Sequence, residues 1–600
     1  MKSELFNQPA AKLLPSKWDL FSLFFVLSMV FIITWTCSNL GGSIDYANAS
    51  TIKPYENISM SLWDLPSYAA ATTVRMFIAL LFSFIFSFIV GACAAKSERA
   101  ERVIIPIIDI MQSIPILGFL AITITGFLAL FPHSLWGAQA AVIFGLFTAQ
   151  AWNMILSFYQ SLKTVPKELR EASDMYQLSG WQRFWKLEVP FSMPGLIWNT
   201  MMSMSASWFM IVASETIVVN FAEHTSAAIN LPGIGTFIDQ ANNSRDFWAV
   251  GAAIITMLIV IVIYDQLIFR PIVAWSEKFI VSEMQQESPS NSWFLSTLQK
   301  SKVISSFGKW SSLQASRIVN IGLLKKDISK SFNQKKHKRA DAIPSKRKSF
   351  IWFLCLTLSL LIFLYLAYQA IYDAPNNPIG LTETLKVFWY GIVTGMRVFA
   401  LIIISSVIWV PIGIWIGLRP KMAARVQPYV QICAAFPVNL LYGVCGTLVI
   451  AFNLDFNIWC TVLMALGTQW YILFNVVAGA SAIPHELKLA AKNMQLKGRI
   501  KWVKYLFPAV MPFYVTGAIT AAGGAWNASI VSEYINWGQD SVIQATGIGA
   551  YISQQYNLPG NHTANVALGV AVMSILVIIT NKLFWRKLYQ YAENRFSMNM

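Results

Sequence analysis

The sequence predicts an all-α polytopic membrane protein: two parallel six-helix repeats, about twelve transmembrane helices, joined by a basic cytoplasmic linker. Three observations predict it. Of 600 residues, 56% are hydrophobic and only 12% charged, against about a quarter charged in an ordinary soluble chain. Several apolar runs reach the roughly 20 residues that cross a bilayer's hydrocarbon. The third observation is internal repetition. The polar stretch PKELREASDMYQLSGWQRFWKLEVPFSMP, residues 166–194, returns as PHELKLAAKNMQLKGRIKWVKYLFPAVMP, residues 484–512. At one offset of 318 residues Glu168 matches Glu486, Ala172 matches Ala490, Gly180 matches Gly498, and Pro190 and Pro194 match Pro508 and Pro512.

The apolar runs divide the chain into a first repeat (residues 1–275), a linker (276–350) and a second repeat (351–600). The first span covers Trp18 to Ser38 after a lysine-bearing start, and reads as an uncleaved span with its N-terminus in the cytoplasm. Spans follow at Ala70 to Ala95, Val103 to Phe131, Trp136 to Tyr159, Phe191 to Ala213 and Phe247 to Phe269. Pro106 and Pro115 predict a kinked or broken third span, acceptable where neighbouring protein satisfies the freed backbone. The polar segment Glu215 to Asp246, with LPGIG at 231–235, is expected outside, in the periplasm.

The second repeat predicts spans at Ile351 to Ile371, Val387 to Leu418, Val426 to Phe452, Asn457 to Ala480, Phe507 to Ile530 and His562 to Trp585. Its early landmarks keep a second offset, 322: Arg75 with Arg397, Gly91 with Gly413, Pro106 with Pro428, Pro115 with Pro437. Six spans per half is an even number, so both halves keep one orientation. Both polar stretches and both termini then face the cytoplasm.

Charge agrees with that topology. The net charge is +16, and residues 276–350 hold fifteen Lys/Arg against five Asp/Glu. Basic residues gather in cytoplasmic loops under the positive-inside rule, so this is not a nucleic-acid signal. The linker has two readings. Its pieces Trp293 to Leu298 and Val303 to Leu324 are amphipathic and suit an anionic membrane surface; a disordered tether fits its composition equally. The six cysteines lack metal or redox spacing and read as packing residues.

Each polar stretch reads as a short helix, too charged to span a bilayer. Proline suits its start, Glu168 and Glu486 favour the positive end of its dipole, and Gly180 and Gly498 are placed as left-handed caps at its end. No phosphate-binding GxxxxGK[ST] loop, HExxH pattern or nucleophile elbow occurs, so no catalysis, metal or cofactor is expected on this chain. Candidate path residues are the matched pairs Ser214-Glu215 with Ser532-Glu533, and Trp208 with Trp526. The carboxylates either line a gate or cap the span in interfacial water. The tryptophans either line the path or serve as anchors and packing. Arg75 and Arg397 either snorkel to headgroups or guide an anion.

The two polar stretches resemble the cytoplasmic EAA loop of permeases in ATP-binding-cassette importers: Glu-Ala-Ala, three residues, Gly, nine residues, Ile, one residue, Leu-Pro. The first copy carries Glu171-Ala172-Ser173, then Leu187, Val189 and Pro190; the second carries Leu489-Ala490-Ala491, then Tyr505, Phe507 and Pro508. The family's Gly falls on Gln177 and Gln495, and Leu489 replaces its Glu. In that family the loop is the coupling helix seated in a cleft of the ATPase. The resemblance therefore implies coupling loops at 166–190 and 484–508, with Glu168, Glu171, Ala172, Ser173, Gly180, Glu486, Leu489, Ala490, Ala491 and Gly498 at the ATPase. It implies two ATPase copies carrying ATP and Mg, a periplasmic binding protein, and a bacterial inner-membrane location. Leu489 implies unequal coupling by the two loops.

The segments VASETIVVNFAEHTSAAINLPGIGTFI and IVSEYINWGQDSVIQATGIGAYI are similar to the fifth-span region of permeases for nitrate, sulfonates, taurine or bicarbonate. Import of such a small anion by ATPase-driven alternating access is the function implied. Fused permeases for ferric iron or thiamine stay open. A secondary transporter driven by an ion gradient is the alternative of another class. Such folds commonly carry inverted repeats and intramembrane carboxylates, whereas these repeats are parallel. A scaffold role for the linker leaves the matched loops unexplained.

Overall fold

The computed structural model describes residues 17–39, 58–112, 116–131, 134–221, 225–279, 292–320, 358, 365, 380–481, 483, 485–536, 542–558 and 562–596. The first half comprises α1 (Lys17–Asn39), α2 (Leu65–Lys96), α3 (Glu98–Met111), α4 (Ile116–Leu130), α5 (Trp136–Lys163), the polar pair α6 (Lys167–Met175) and α7 (Gly180–Arg183), and α8 (Val189–Ser214). A hairpin of β1 (Thr216–Phe221) and β2 (Thr225–Asn230) follows, then α9 (Ile234–Asn243), α10 (Phe247–Tyr264) and α11 (Arg270–Ser276). The linker supplies α12 (Trp293–Lys300) and α13 (Lys302–Val319).

The second half repeats the plan. It holds α14 (Leu381–Gly417), α15 (Pro420–Ala435), α16 (Tyr442–Ala451), α17 (Phe456–Ser481), α18 (His485–Asn493), α19 (Gly498–Lys501) and α20 (Phe507–Ser532). A short hairpin, β3 (Tyr534–Asn536) with β4 (Val542–Gln544), precedes α21 (Ile548–Asn557), α22 (Thr563–Thr580) and α23 (Arg586–Phe596).

Among the described residues nine helices are long and apolar enough to cross a membrane, or ten with one bent pair. Two of the expected spans are not single straight rods. The third span takes the broken form of the two expected, as α3 and the 15-residue α4. Its counterpart bends by 72° between Tyr429–Ala435 and Val438–Ala451. Pro437 stands at that break in extended backbone, because a proline cannot continue the helical hydrogen-bond ladder of the residues before it. The span expected at 351–371 lies outside the described residues apart from 358 and 365.

Helices α2, α5 and α8 pack side by side, as α14, α17 and α20 do in the second half. Lipid tails give apolar helices no hydrophobic drive to associate, so close approach over small residues matters. The matched glycines show it. A Cβ at Gly91 would stand 2.8 Å from Phe158 Cδ1, and one at Gly413 2.7 Å from Val476 Cγ1. The halves interlock: Ala435 and Leu440 belong to the core of the first half, while Met202 and Phe209 pack on the core of the second. Two five-residue π-helical turns, 184–188 and 502–506, join the polar helices to α8 and α20 at equivalent positions.

Gly413→Leu should therefore overpack the α14–α17 crossing and destabilise by about 1–3 kcal/mol, read as a lowered Tm in detergent. Gly126→Ala, where a Cβ meets nothing within 4 Å, should leave Tm unchanged or slightly higher.

Candidate functional site

The two polar loops are built alike. In each, a helix of 9 residues carries a glutamate in its first turn, Glu168 or Glu486. The left-handed residue that ends it is Gln177 (φ 50°) or Gln495 (φ 51°). The Leu178 N–H donates to the Ser173 carbonyl at 3.1 Å, and the Leu496 N–H to the Ala491 carbonyl at 3.1 Å. Paired with the Gln177 to Asp174 and Gln495 to Lys492 bonds, this is a Schellman closure. The expectation that Gly180 and Gly498 form these caps is corrected. Gly180 opens α7 after Ser179, whose side chain and that of Gln182 form a capping box. Gly498 does take a positive φ of 53°, but at the start of α19, where Lys497 gives no side-chain cap.

The loops present apolar tips. Met175 is 84% exposed, Tyr176 81% and Met494 72%. Glu168, Glu171, Glu486, Leu489 and Ala490 are exposed and Ala172 half-buried, while Ser173 and Ala491 are buried and seat each helix on the bundle. Ion pairs brace the first loop and its surroundings: Arg183–Asp174 at 2.6 Å, Lys96–Glu188 at 2.9 Å and Lys163–Glu101 at 2.7 Å. The Lys163 ammonium and the Tyr159 hydroxyl hold the Glu101 carboxyl below its ordinary range.

At the opposite end of α8 lies a polar site inside the protein. Glu215 follows Ser214, is fully buried, and accepts from Arg75 at 2.6 Å, Thr72 Oγ1 at 2.7 Å and the Gly235 N–H at 2.7 Å. Arg75, also fully buried, donates further to Gln139 Oε1 at 2.6 Å and the Pro232 carbonyl at 2.8 Å. A Cβ at Gly233 would overlap the Glu215 carboxylate, so the LPGIG turn is glycine because a carboxylate lies against its backbone.

The second half repeats the arrangement. Glu533 accepts from Arg397 at 2.9 Å, Thr394 at 2.8 Å, and the Gly549 and Ala550 N–H groups at 2.9 and 3.2 Å. Arg397 donates to Asn457 Oδ1 at 3.0 Å and the Thr546 carbonyl at 2.8 Å. Gly547 takes the place of Gly233 against the carboxylate. Each carboxylate also sits at a helix N-terminus, α9 or α21, where anions are favoured.

This corrects the reading of both arginines as snorkelling to headgroups and of both glutamates as capping in interfacial water. They form one buried ion pair in each half. Considered singly, a cation near a span end favours headgroups. The signal that joins them is that each half repeats both, and a buried carboxylate needs a cation. Trp208 is fully buried against Tyr264, with ring centroids 5.6 Å apart, and Trp526 is buried against Gly395. Each belongs to the core of its own half. Ser214 donates to the Met210 carbonyl, and Ser532 is buried beside Glu533.

The halves meet through pseudo-symmetric bonds. The Ile116 N–H donates to Asn527 Oδ1 at 2.9 Å, and Asn439 Nδ2 donates to the Phe209 carbonyl at 3.1 Å. Positions 209 and 527 are equivalent under the repeat. A cavity beside this seam is lined by aromatic Trp198, Tyr264, Phe269 and Phe474, with Ser205 and Gln431, and no lining residue is charged.

A family described as the inner-membrane component of binding-protein-dependent transport systems matches residues 83–269 and again 409–590. The chain belongs to that family. It is a fused, two-repeat permease. Its relatives include the nitrate import permease NrtB of Leptolyngbya laminosa, 24% identical over 33% of this chain and 66% of the relative. The bicarbonate transport permease CmpB of Synechococcus elongatus is 24% identical over 32% of this chain and 66% of its own. The glycine betaine/carnitine permease GbuB of Listeria monocytogenes is 27% identical over 30% of this permease and 56% of its own length. The permease thus spans just under two thirds of the first two relatives.

Two outcomes follow from this geometry. Glu215→Leu should cost about 3–5 kcal/mol, because it strands the Arg75 charge in the protein; Arg75→Met with Glu215→Leu should recover part of that loss, measured as Tm in detergent. Gln177→Gly should relieve a left-handed side chain worth roughly 1 kcal/mol, read as slower amide exchange of residues 167–178.

Proposed function

We propose that this permease is the transmembrane subunit of an ATP-binding-cassette importer in a bacterial inner membrane, moving a small solute inward by alternating access. The observation that carries it is the pair of Schellman-capped polar helices with exposed apolar tips, each joined through a π-helical turn to a long central helix. Two copies of a cytoplasmic ATPase, holding ATP and Mg, seat on them. Glu171 with Ala172 and Leu489 with Ala490 face each ATPase, while Ser173 and Ala491 anchor the helices. Closure of the ATPases moves α8 and α20 through the π-helical turns. A periplasmic binding protein delivers solute at the hairpin end, beside Glu215 and Glu533. Both loops and both termini lie in the cytoplasm.

The substrate class is a small anion such as nitrate, a sulfonate or bicarbonate, in keeping with the names of the nitrate and bicarbonate relatives. Arg75 and Arg397 are engaged by their own glutamates, so they do not supply its counter-charge. A second reading, a quaternary ammonium, is in keeping with the name of the glycine betaine/carnitine relative. Ferric iron and thiamine have no such support, and the parallel repeats speak against a gradient-driven transporter.

The test is affinity purification of the tagged chain from its native membrane. A P-loop ATPase should co-purify, and Ala172→Arg with Ala490→Arg should abolish that association while leaving the folded permease in the membrane. Absence of any ATPase, with gradient-driven uptake persisting in the double variant, would refute the importer reading. Uptake of labelled nitrate or bicarbonate against labelled glycine betaine then separates the two substrate classes.

A further inference from the structure

The linker helices α12 and α13 are fastened at both ends. At one end Asp19 of α1, only 3% exposed, accepts from Ser301 Oγ at 2.8 Å and the Val303 N–H at 3.1 Å, so a residue of the first span caps α13. Phe25 packs edge-on to Phe294 at 5.0 Å, and the Lys300 ammonium lies 5.3 Å from the Trp18 ring centroid. At the other end Asn320 Oδ1 accepts from Gln182 Nε2 at 3.0 Å and lies 3.5 Å from Lys186 Nζ. Gln182 is the residue that closes the capping box of α7 in the first polar loop. The 18 residues of α13 reach about 27 Å at 1.5 Å per residue, from the start of α1 to that loop.

Among the described residues the second loop has none of this. Under the repeat, Lys497 replaces Ser179 and Ile500 replaces Gln182; Lys497 gives no side-chain cap and Ile500 is 57% exposed. Lys492 and Lys501 occupy the places of the ion-paired Asp174 and Arg183. Among the described residues the fastening reaches one of two otherwise matched loops.

The outer side of α13 combines apolar and basic residues. Val303 is 51% exposed, Trp310 56% and Leu313 61%. Lys302, Lys309 and Arg317 are exposed as well, and residues 292–320 contain no Asp or Glu. The capping residue Asp19 sits at the start of α1, whose apolar run Trp18–Ser38 is almost wholly uncovered by the protein, as a lipid-facing span requires. That places α13 at headgroup level, where such a helix buries its apolar side and pairs its cations with anionic lipid.

We propose that α12 and α13 form a brace on the inner-leaflet surface, seated on anionic lipid, that holds the first polar loop and leaves the second unbraced. The brace makes the two loops mechanically unequal. That they transmit ATPase motion rests on the function proposed above; the brace itself does not.

The test uses the full chain in lipid nanodiscs without ATPase, so its outcome is independent of that function. Amide hydrogen exchange is followed in residues 167–183, 302–319 and 485–501. Asn320→Ala should speed exchange in 167–183 about five- to tenfold, the effect of losing one side-chain hydrogen bond, and leave 485–501 unchanged. Unchanged exchange in 167–183 would overturn the brace. Exchange in 302–319 should be about fivefold slower in discs containing phosphatidylglycerol than in phosphatidylcholine alone, and Lys302→Glu with Lys309→Glu and Arg317→Glu should erase that difference. Equal exchange in the two lipids, or protection that arises only when a purified ATPase is added, would overturn the lipid surface as the occupant.

Discussion

A carboxylate in a dry interior must be matched by charge and hydrogen bonds together, and that requirement organises each half of this permease. Glu215 meets it with the Arg75 guanidinium, the Thr72 hydroxyl and the amide end of α9; Glu533 does so with Arg397, Thr394 and the start of α21. A buried pair of this kind adds little net stability, yet removing one partner is costly. It therefore fixes geometry. The end of α8 is tied to α2, to the turn before α9 and, through Gln139, to α5. The glycines of LPGIG follow from the same contact, since any side chain at Gly233 would displace the carboxylate.

With that end fixed, the irregular backbone lies at the other end. There α8 and α20 carry internal prolines, Pro194 and Pro512, and begin in π-helical turns. Both features weaken the regular hydrogen-bond ladder where the polar loops attach. An ion-paired end and a less regular end joined to an exposed loop suit each long helix to serve as a lever in the transport proposed above. The seam between the halves runs along these levers, through Asn527 with Ile116 and Asn439 with Phe209.

Much of this was legible in the sequence. Apolar length fixes most spans, and the matched prolines, glutamates and glycines locate the repeat and its two loops. Gly91 and Gly413 kept a constant offset because both let a neighbouring helix approach closely. Other features were hidden for physical reasons. Pro437 announces a disturbance, but whether a proline kinks or breaks a span depends on what surrounds it. The helix cap falls on Gln177 and not on Gly180, because the Schellman bonds of Leu178 and Gln177 determine where the left-handed residue stands. The Arg–Glu pairs join residues about 140 positions apart in each half, and periodicity carries no information about such contacts. At its α1 end the linker is capped by a buried aspartate of the first span, and no local pattern marks that contact.

The two halves agree at their Arg–Glu pairs and differ at their polar loops. Both Arg–Glu pairs are kept, whereas among the described residues the capping box, the Arg183–Asp174 pair and the grip of Asn320 on Gln182 are found in the first half alone. Such divergence is open to a fused chain. In a permease assembled from two identical subunits, every substitution in a loop is made twice, and neither copy can specialise without the other. Here one gene encodes two loops that mutate separately, so one could become a fixed bearing while the other drifted toward a different touch on its partner.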